Sequence, residues 1–494
     1  MLTPIVVRTL GDARYGVFML ASSLTGAYGL LDIGLRAGVN QYLTRYLSTK
    51  EYDKMNRAAS SAFVVLSALG LAAAALSVVL GLNARSIFHG VPEGLDYEIF
   101  FCIAVTGVAA AVQLATFPFA SVFMATQRYD ILNAVGISAR IFSALLIYGA
   151  LLGGGNLVEV SVISAGVNVL DSLVRWRVAY RLLPELRVSP WLVDRERLGE
   201  IASFGSWAFL LSIAYSINAH GPQILVGMLL PVAAVARLAL AANLVRQVGS
   251  LVQPIGQVFF PMAVELHAKE DYARLRRLHF DGSRLFLLAL FPTCLIAAAW
   301  ADDFYRLWIG PEYVSSDGGE VSVALLFRLL LSSMMLGYVQ GIGGQLLIGV
   351  KRIQPTAITS STAALAGLAF GAIAILNYGL VGVGAATIIA NVLFLAIPLP
   401  ILAARAVGAT LLEYFREAIL RPALAAVALL APIALIRSSF GSPVSMVGLA
   451  LQGLPAALFA VAVVVFVGLR PEERQRFVAA PSLRLAAWIR SFAQ

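Results

Sequence analysis

The sequence has 494 residues, 60% of them hydrophobic and 13% charged, with 36 basic and 27 acidic side chains for a net charge of +9. Soluble globular chains are roughly 45–50% apolar and about 25% charged, and the mean hydropathy here is +0.84, so a soluble enzyme, a disordered chain and a nucleic-acid-binding domain are excluded. The basic residues sit in short stretches between apolar runs, the pattern of a membrane protein rather than of a polyanion-binding surface.

Apolar runs of about 20 residues, the length that crosses a bilayer, lie near 15–35, 60–81, 98–124, 136–153, 157–174, 204–230, 232–260, 282–301, 321–349, 356–376, 380–403, 420–437 and 445–469. These are thirteen spans, with a fragment of a fourteenth at Leu2–Val7. They are too long and continuous for barrel strands, which alternate over about ten residues. Met1 opens directly onto Leu2, Thr3 and Pro4 without the basic stretch of a cleavable signal peptide.

Of the 36 Lys and Arg, 28 fall in one set of loops, among them Arg36, Arg140, Arg175, Arg284 and the tail from Arg470 onward. Five (Arg8, Arg14, Arg85, Arg306, Arg437) fall in the opposite set and three (Arg237, Arg246, Arg328) within spans. The positive-inside rule predicts that the larger set, and the C-terminus with it, is cytoplasmic. The longest loop, about 175–203, holds under 30 residues, too few for a soluble catalytic domain, and no GxxxxGK[ST] phosphate loop occurs. Cys102 and Cys294 lie in separate apolar runs and the four histidines show no ligand spacing. The expectation is no catalytic residue, no metal site, no cofactor and no nucleic-acid partner.

The two halves repeat at a nearly constant offset. Lys50–Arg57 aligns with Glu270–Arg277 at 220 residues, Gln127-Arg128 with Lys351-Arg352 at 224, and Asn168-Val169-Leu170 with Asn391-Val392-Leu393 at 223. A repeat of six helices returns to the same side, so both copies enter the membrane in the same sense, as in many secondary transporters. The fold class expected is an all-α integral membrane protein of two parallel six-helix lobes plus two C-terminal helices. The fourteen helices include a truncated first one. The N-terminal lobe covers 1–200, the C-terminal lobe 201–405, and two extra helices with a tail 406–494.

Arg8-Thr9-Leu10-Gly11 followed by Tyr15-Gly16, then Leu31-Asp32-Ile33-Gly34-Leu35 and Gln41-Tyr42, and Phe204-Gly205-Ser206-Trp207 in the second half, resemble the polysaccharide flippase family. That family belongs to the MOP exporter superfamily, with MATE drug exporters and lipid II flippases. The resemblance implies a bacterial inner-membrane protein, not an enzyme. It implies a flippase that moves undecaprenyl-diphosphate-linked oligosaccharide from the cytoplasmic to the periplasmic leaflet by alternating access. The implied partners are the lipid-linked oligosaccharide, the bilayer and other membrane proteins of polysaccharide assembly; H+ and Na+ are the candidate coupling ions. The alternative is a MATE-like cation-coupled drug or metabolite antiporter on the same fold.

A charge at the bilayer centre costs about 2.5–3.5 kcal/mol on the translocon scale, so intramembrane charges mark cavities or partners. Arg237 and Arg246 share one span nine residues apart, which places them about 180° apart on an ideal helix. Arg328 lies in a later span, Arg36 and Asp32 are one turn apart at the end of the first complete span, and Asp171 ends another. The functional reading is a cationic cavity, since guanidinium forks suit a diphosphate. The structural reading has Arg36, Arg140 and Arg328 snorkelling to an interface and Asp32–Arg36 as an intrahelical pair. Three intramembrane arginines against one clear acid favour an anionic substrate over a drug cation.

Overall fold

The computed structural model describes residues 3–32, 35–194, 196, 206–315, 321–471, 473 and 474. Among these residues every regular element is helical. In chain order the principal helices are α1 (Thr3–Ala27), α2 (Leu35–Ser48), α3 (Tyr52–Leu82), α4 (Asp96–Ala125), α5 (Tyr129–Leu152), α6 (Leu157–Leu182), α7 (Ser206–Leu229), α8 (Val232–Gln257), α9 (Phe259–Ala268), α10 (Tyr272–Ala299), α11 (Val323–Tyr338), α12 (Gly341–Gly349), α13 (Ile353–Asn391), α14 (Pro398–Ala406), α15 (Leu420–Phe440) and α16 (Met446–Val463).

Ten helical stretches are long and apolar enough to cross a bilayer. One of them, Ile353–Ala406, breaks at Gly379 (φ 53°) and folds back so that Gly382 abuts Ala374, giving two crossings. Helices α1 and α7 fall outside the ten because they carry polar residues in mid-helix: Asp12 and Arg14 in α1, and Asn218, His220 and Gln223 in α7. The all-α membrane architecture is therefore as expected, and the polar face of α7 is an addition to it.

The four non-glycine residues with left-handed backbone among the described residues expose the repeat in the backbone itself. They are Lys50 (φ 58°), Gln127 (57°), Glu270 (56°) and Lys351 (61°), and they form pairs 220 and 224 residues apart. Each ends a helix in the same way. The Lys50 N–H donates to the carbonyl of Leu47 and that of Glu51 to Tyr46; Glu270 and Asp271 repeat this on His267 and Leu266. Gln127 and Arg128 do so on Met124 and Phe123, and Lys351 and Arg352 on Ile348 and Leu347. This is the Schellman closure, which satisfies carbonyls left over at a helix end. A side chain in that conformation costs about 1–2 kcal/mol, so four such turns at matched positions are a feature of the fold rather than of local sequence.

The chain packs as two compact units, residues 1–239 and 240–494. In the first, α3 and α4 lie in close contact because Gly70 lets the backbones touch: a Cβ there would sit 2.7 Å from the carbonyl oxygen of Ala111. Around that seam Met55, Ala62, Leu66, Leu114, Phe119 and Phe123 form the core. Asn56, Ser60 and Ser61 of α3 hold the connection after α6. Asn56 donates to the carbonyl of Glu185 (3.0 Å) and accepts from the N–H of Arg187 (2.8 Å), while Ser60 and Ser61 accept from Ser189 and Asp194. Helix α1 is tied to α4 by a two-pronged Arg14–Glu98 ion pair at 2.8 and 3.0 Å, and to α7 by a hydrogen bond from Ser23 to Gln223.

In the second unit, α10 carries the two C-terminal helices. Trp300, Leu429, Ile433, Ile436, Ala456 and Ala460 make one apolar cluster, and Leu288, Ala425, Val465 and Leu469 another. A polar group pins each end. Near Trp300, the buried Asp303 lies between Arg306 (2.9 Å) and Arg437 (3.2 Å), and the Trp300 indole donates to Gln452. At the other end Arg284, fully buried, pairs with Asp281 (3.2 Å) and Glu473, and Arg470 pairs with Asp281 (3.1 Å) and Glu417.

Candidate functional site

The first unit contains a cavity of about 640 Å³ between α4, α5 and α6, with Arg36 of α2 also on its lining. That volume lies within the roughly 300–1,000 Å³ of ligand-binding cavities. Its lining is polar for a membrane interior: Gln113 and Thr116 from α4, Ser143 from α5, Ser164, Asn168 and Ser172 from α6. Four charged side chains join them, Arg36, Arg140, Arg175 and Asp171. The lining thus carries three arginines and one aspartate.

Arg140 stands near the midpoint of the 24-residue α5. Its side chain is exposed on the cavity lining, and among the described residues it makes no ion pair and no hydrogen bond. The sequence reading placed Arg140 within reach of an interface because the apolar window opens only at 136. The helix itself opens at Tyr129, directly after the Gln127 turn and seven residues before that window. The same correction moves Arg175 from a loop into α6, seven residues before its end at Leu182, and Arg284 into α10.

Arg175 pairs with Asp171 one turn earlier on the same helix, Nε to Oδ2 at 2.9 Å, both side chains partly buried. Its terminal nitrogens have no acceptor among the described residues, and Gly136 of α5 gives them room: a Cβ at 136 would lie 3.3 Å from Nη2. Arg36 lies over the ring of Phe117 at 5.0 Å, a cation–π contact that holds its guanidinium against α4.

The repeat supplies an internal control. At offsets of 220, 224 and 223 residues, Arg36, Arg140, Asp171 and Arg175 correspond to Gly256, Ala364, Phe394 and Pro398. The second half builds its helices with small or apolar residues where the first has charges. The fold therefore does not require these charges, and their cost in an apolar interior needs another reason.

The remaining sequence candidates lie elsewhere. Arg237 is 6% exposed and pairs with Asp12 of α1 at 3.8 Å, within the first unit. Arg246 is exposed on α8 and donates to Asn243 one turn before it, so the two arginines do occupy different faces. Arg328 clasps both oxygens of Asp302 and donates to the carbonyl of Ala298 (3.0 Å), which makes it a structural clamp of the second unit. The Asp32 side chain lies outside the described residues. Of the six, the structure brings Arg36 and Asp171 together; Arg140 and Arg175 complete the group. We expect Arg237→Ala to destabilise the fold by about 1–3 kcal/mol, since it strips a guanidinium from the Asp12 carboxylate. Transport would then fall in proportion to the folded protein recovered by size-exclusion chromatography; a loss of transport at unchanged abundance would instead put Arg237 in the substrate path.

A model of the polysaccharide biosynthesis protein family matches residues 2–267, more than half of the chain. The chain belongs to that family. Among curated proteins this family member is 21% identical over 323 residues to EpsK, a membrane protein of Bacillus subtilis (strain 168), covering 63% of this chain and 62% of EpsK. It is 19% identical over 349 residues to a Shigella flexneri protein named for O-antigen transport, covering 68% of this chain and 79% of that one. The match thus spans less than two thirds of EpsK. Among solved structures, the lipid II flippase MurJ in an inward closed conformation superposes with a TM-score of 0.68 at 13% identity, covering 98% of both chains. An inward-facing multidrug MATE transporter of the MOP superfamily gives 0.64 at 14% identity over 82% of this chain and 94% of that one. The chain is thus a multi-pass membrane protein with the MOP fold, and the folds it shares are those of transporters and flippases rather than enzymes.

Proposed function

We propose that this protein flips a lipid-linked oligosaccharide across the bacterial inner membrane for surface polysaccharide synthesis, from the cytoplasmic to the periplasmic leaflet. In this reading the lipid is undecaprenyl diphosphate and the loops rich in arginine, with the C-terminus, face the cytoplasm. No cofactor takes part; a H+ or Na+ gradient is the driving force it admits.

The observation that carries the reading is Arg140: an arginine at mid-helix, without an ion-pair partner among the described residues, in a cavity it shares with Arg36 and Arg175. An unpaired cation deep in a membrane helix is costly, and a ligand diphosphate would supply the missing anion. Guanidinium groups bind phosphate oxygens in pairs, and a cavity of about 640 Å³ holds a diphosphate with its first sugar, though not the polyprenyl chain. A drug-cation exporter on the same fold would need the opposite sign in this cavity.

The test is transport in proteoliposomes. Purified protein should move a fluorescent polyprenyl-diphosphate oligosaccharide between leaflets and leave a cationic dye where it is. Movement of the dye alone would establish the antiporter reading instead.

A further inference from the structure

Within the cavity one arginine differs from the others. Arg175 is already engaged by an anion, Asp171, whose Oδ2 comes within 2.9 Å of Nε as an ion pair, yet the buried Nε makes no hydrogen bond; the outer fork of the guanidinium is left open beside Gly136. On the Asp171 side, Oδ1 is buried and has no hydrogen-bond partner among the described residues. The pair is therefore a charge contact without a hydrogen bond, in a place where a two-pronged carboxylate–guanidinium contact would be stronger. Nor does the helix need it, because Phe394 and Pro398 stand at the corresponding positions of the second half. The other charged groups lining the cavity, Arg36 and Arg140, come from α2 and α5, and α4 contributes none.

We propose that Asp171 is a built-in counter-anion: it holds Arg175 in the empty cavity and yields the guanidinium to an entering phosphate group. A ligand phosphate offers more oxygens and more charge than the carboxylate, so it displaces Asp171 from Arg175. The carboxylate it displaces remains one turn away on the same helix and repels the bound anion. That repulsion weakens binding and speeds release, which a transporter needs as much as capture, because an arginine cluster that held its anion tightly would stall. Asp171 is thus a positioning residue: it sets affinity through Arg175 and touches no substrate. The inference rests on the anionic-ligand reading of the cavity given above.

The test uses inorganic pyrophosphate as a soluble probe, titrated calorimetrically into the full chain in nanodiscs. The expected result is weak binding by the native protein and about fivefold tighter binding by Asp171→Asn. The gain should disappear in Asp171→Asn/Arg175→Ala. In proteoliposomes Asp171→Asn should lower KM and kcat together, since release becomes slow. A merely structural aspartate would not tighten binding when removed. If Asp171→Asn fails to fold, Asp171→Ser, which resembles the neighbouring Ser164 and Ser172, carries the same expectation. Binding by the native protein that is unchanged or weakened in the folded variant would overturn this proposal and leave the anionic cavity standing. Absence of pyrophosphate binding in every folded form would overturn both.

Discussion

Arg140→Ala is expected to lower transport per folded molecule by roughly one to two orders of magnitude while leaving the yield of folded protein the same or higher. The two halves of that expectation have different causes. A hydrogen bond from a charged donor is worth about 1.5–3 kcal/mol, and each 1.4 kcal/mol is about a factor of ten, so loss of one guanidinium from a diphosphate site has that size. Insertion moves the other way. An unpaired arginine near the middle of α5 costs about 2.5–3.5 kcal/mol to place in the bilayer, and alanine removes the cost. Ala364, at the corresponding position of the second half, shows that the fold accepts alanine there. Arg140→Lys should recover part of the activity, since lysine keeps the charge and loses the fork. The checks are fluorescence size-exclusion for abundance and a leaflet-resolved transport assay normalised to it. If abundance and activity fall together, Arg140 is a structural residue and the cavity loses its central argument.

The positions of the helices were largely legible, because a run of about 20 apolar residues has one economical fate in a bilayer. The repeat was legible from a few loop residues and reappears as paired left-handed turns at Lys50/Glu270 and Gln127/Lys351. The site was read less well. Hydropathy marks where a helix meets hydrocarbon, not where it starts or ends, so Arg140 reads as close to an interface and Arg175 as a loop residue although α5 begins at Tyr129 and α6 runs to Leu182. Depth along the helix, counted from the turn at Gln127, would have placed Arg140 at the centre. Partners on different helices were beyond sequence reasoning altogether. Arg237 looked like a lone intramembrane charge because Asp12 is 225 positions away, and the clasp of Arg328 on Asp302 required the turn between α10 and α11. Charge type at a given depth is thus readable; whether it is already neutralised is not.

Arg284→Met is expected to have the largest effect on folding of any single substitution considered. Arg284 is fully exposed to protein and not at all to solvent, and it meets Glu473, 8% exposed at its side chain, and Asp281. Removing one member of a buried ion pair costs about 3–5 kcal/mol, because the carboxylate left behind has lost both water and its counter-charge. That is a large share of the roughly 5–15 kcal/mol by which folded domains are stable. Glu473 follows the last C-terminal helix while Arg284 lies in α10, so the loss should first detach α15 and α16 from the second unit. Protease cleavage in the 441–445 connection would report this. Replacing both partners with apolar residues, Arg284→Met with Glu473→Met, should restore more than half of the lost abundance. No charge is then stranded between the two, and Asp281 keeps Arg470 at 3.1 Å. A double variant as unstable as the single one would mean that Arg284 acts through something other than this pair.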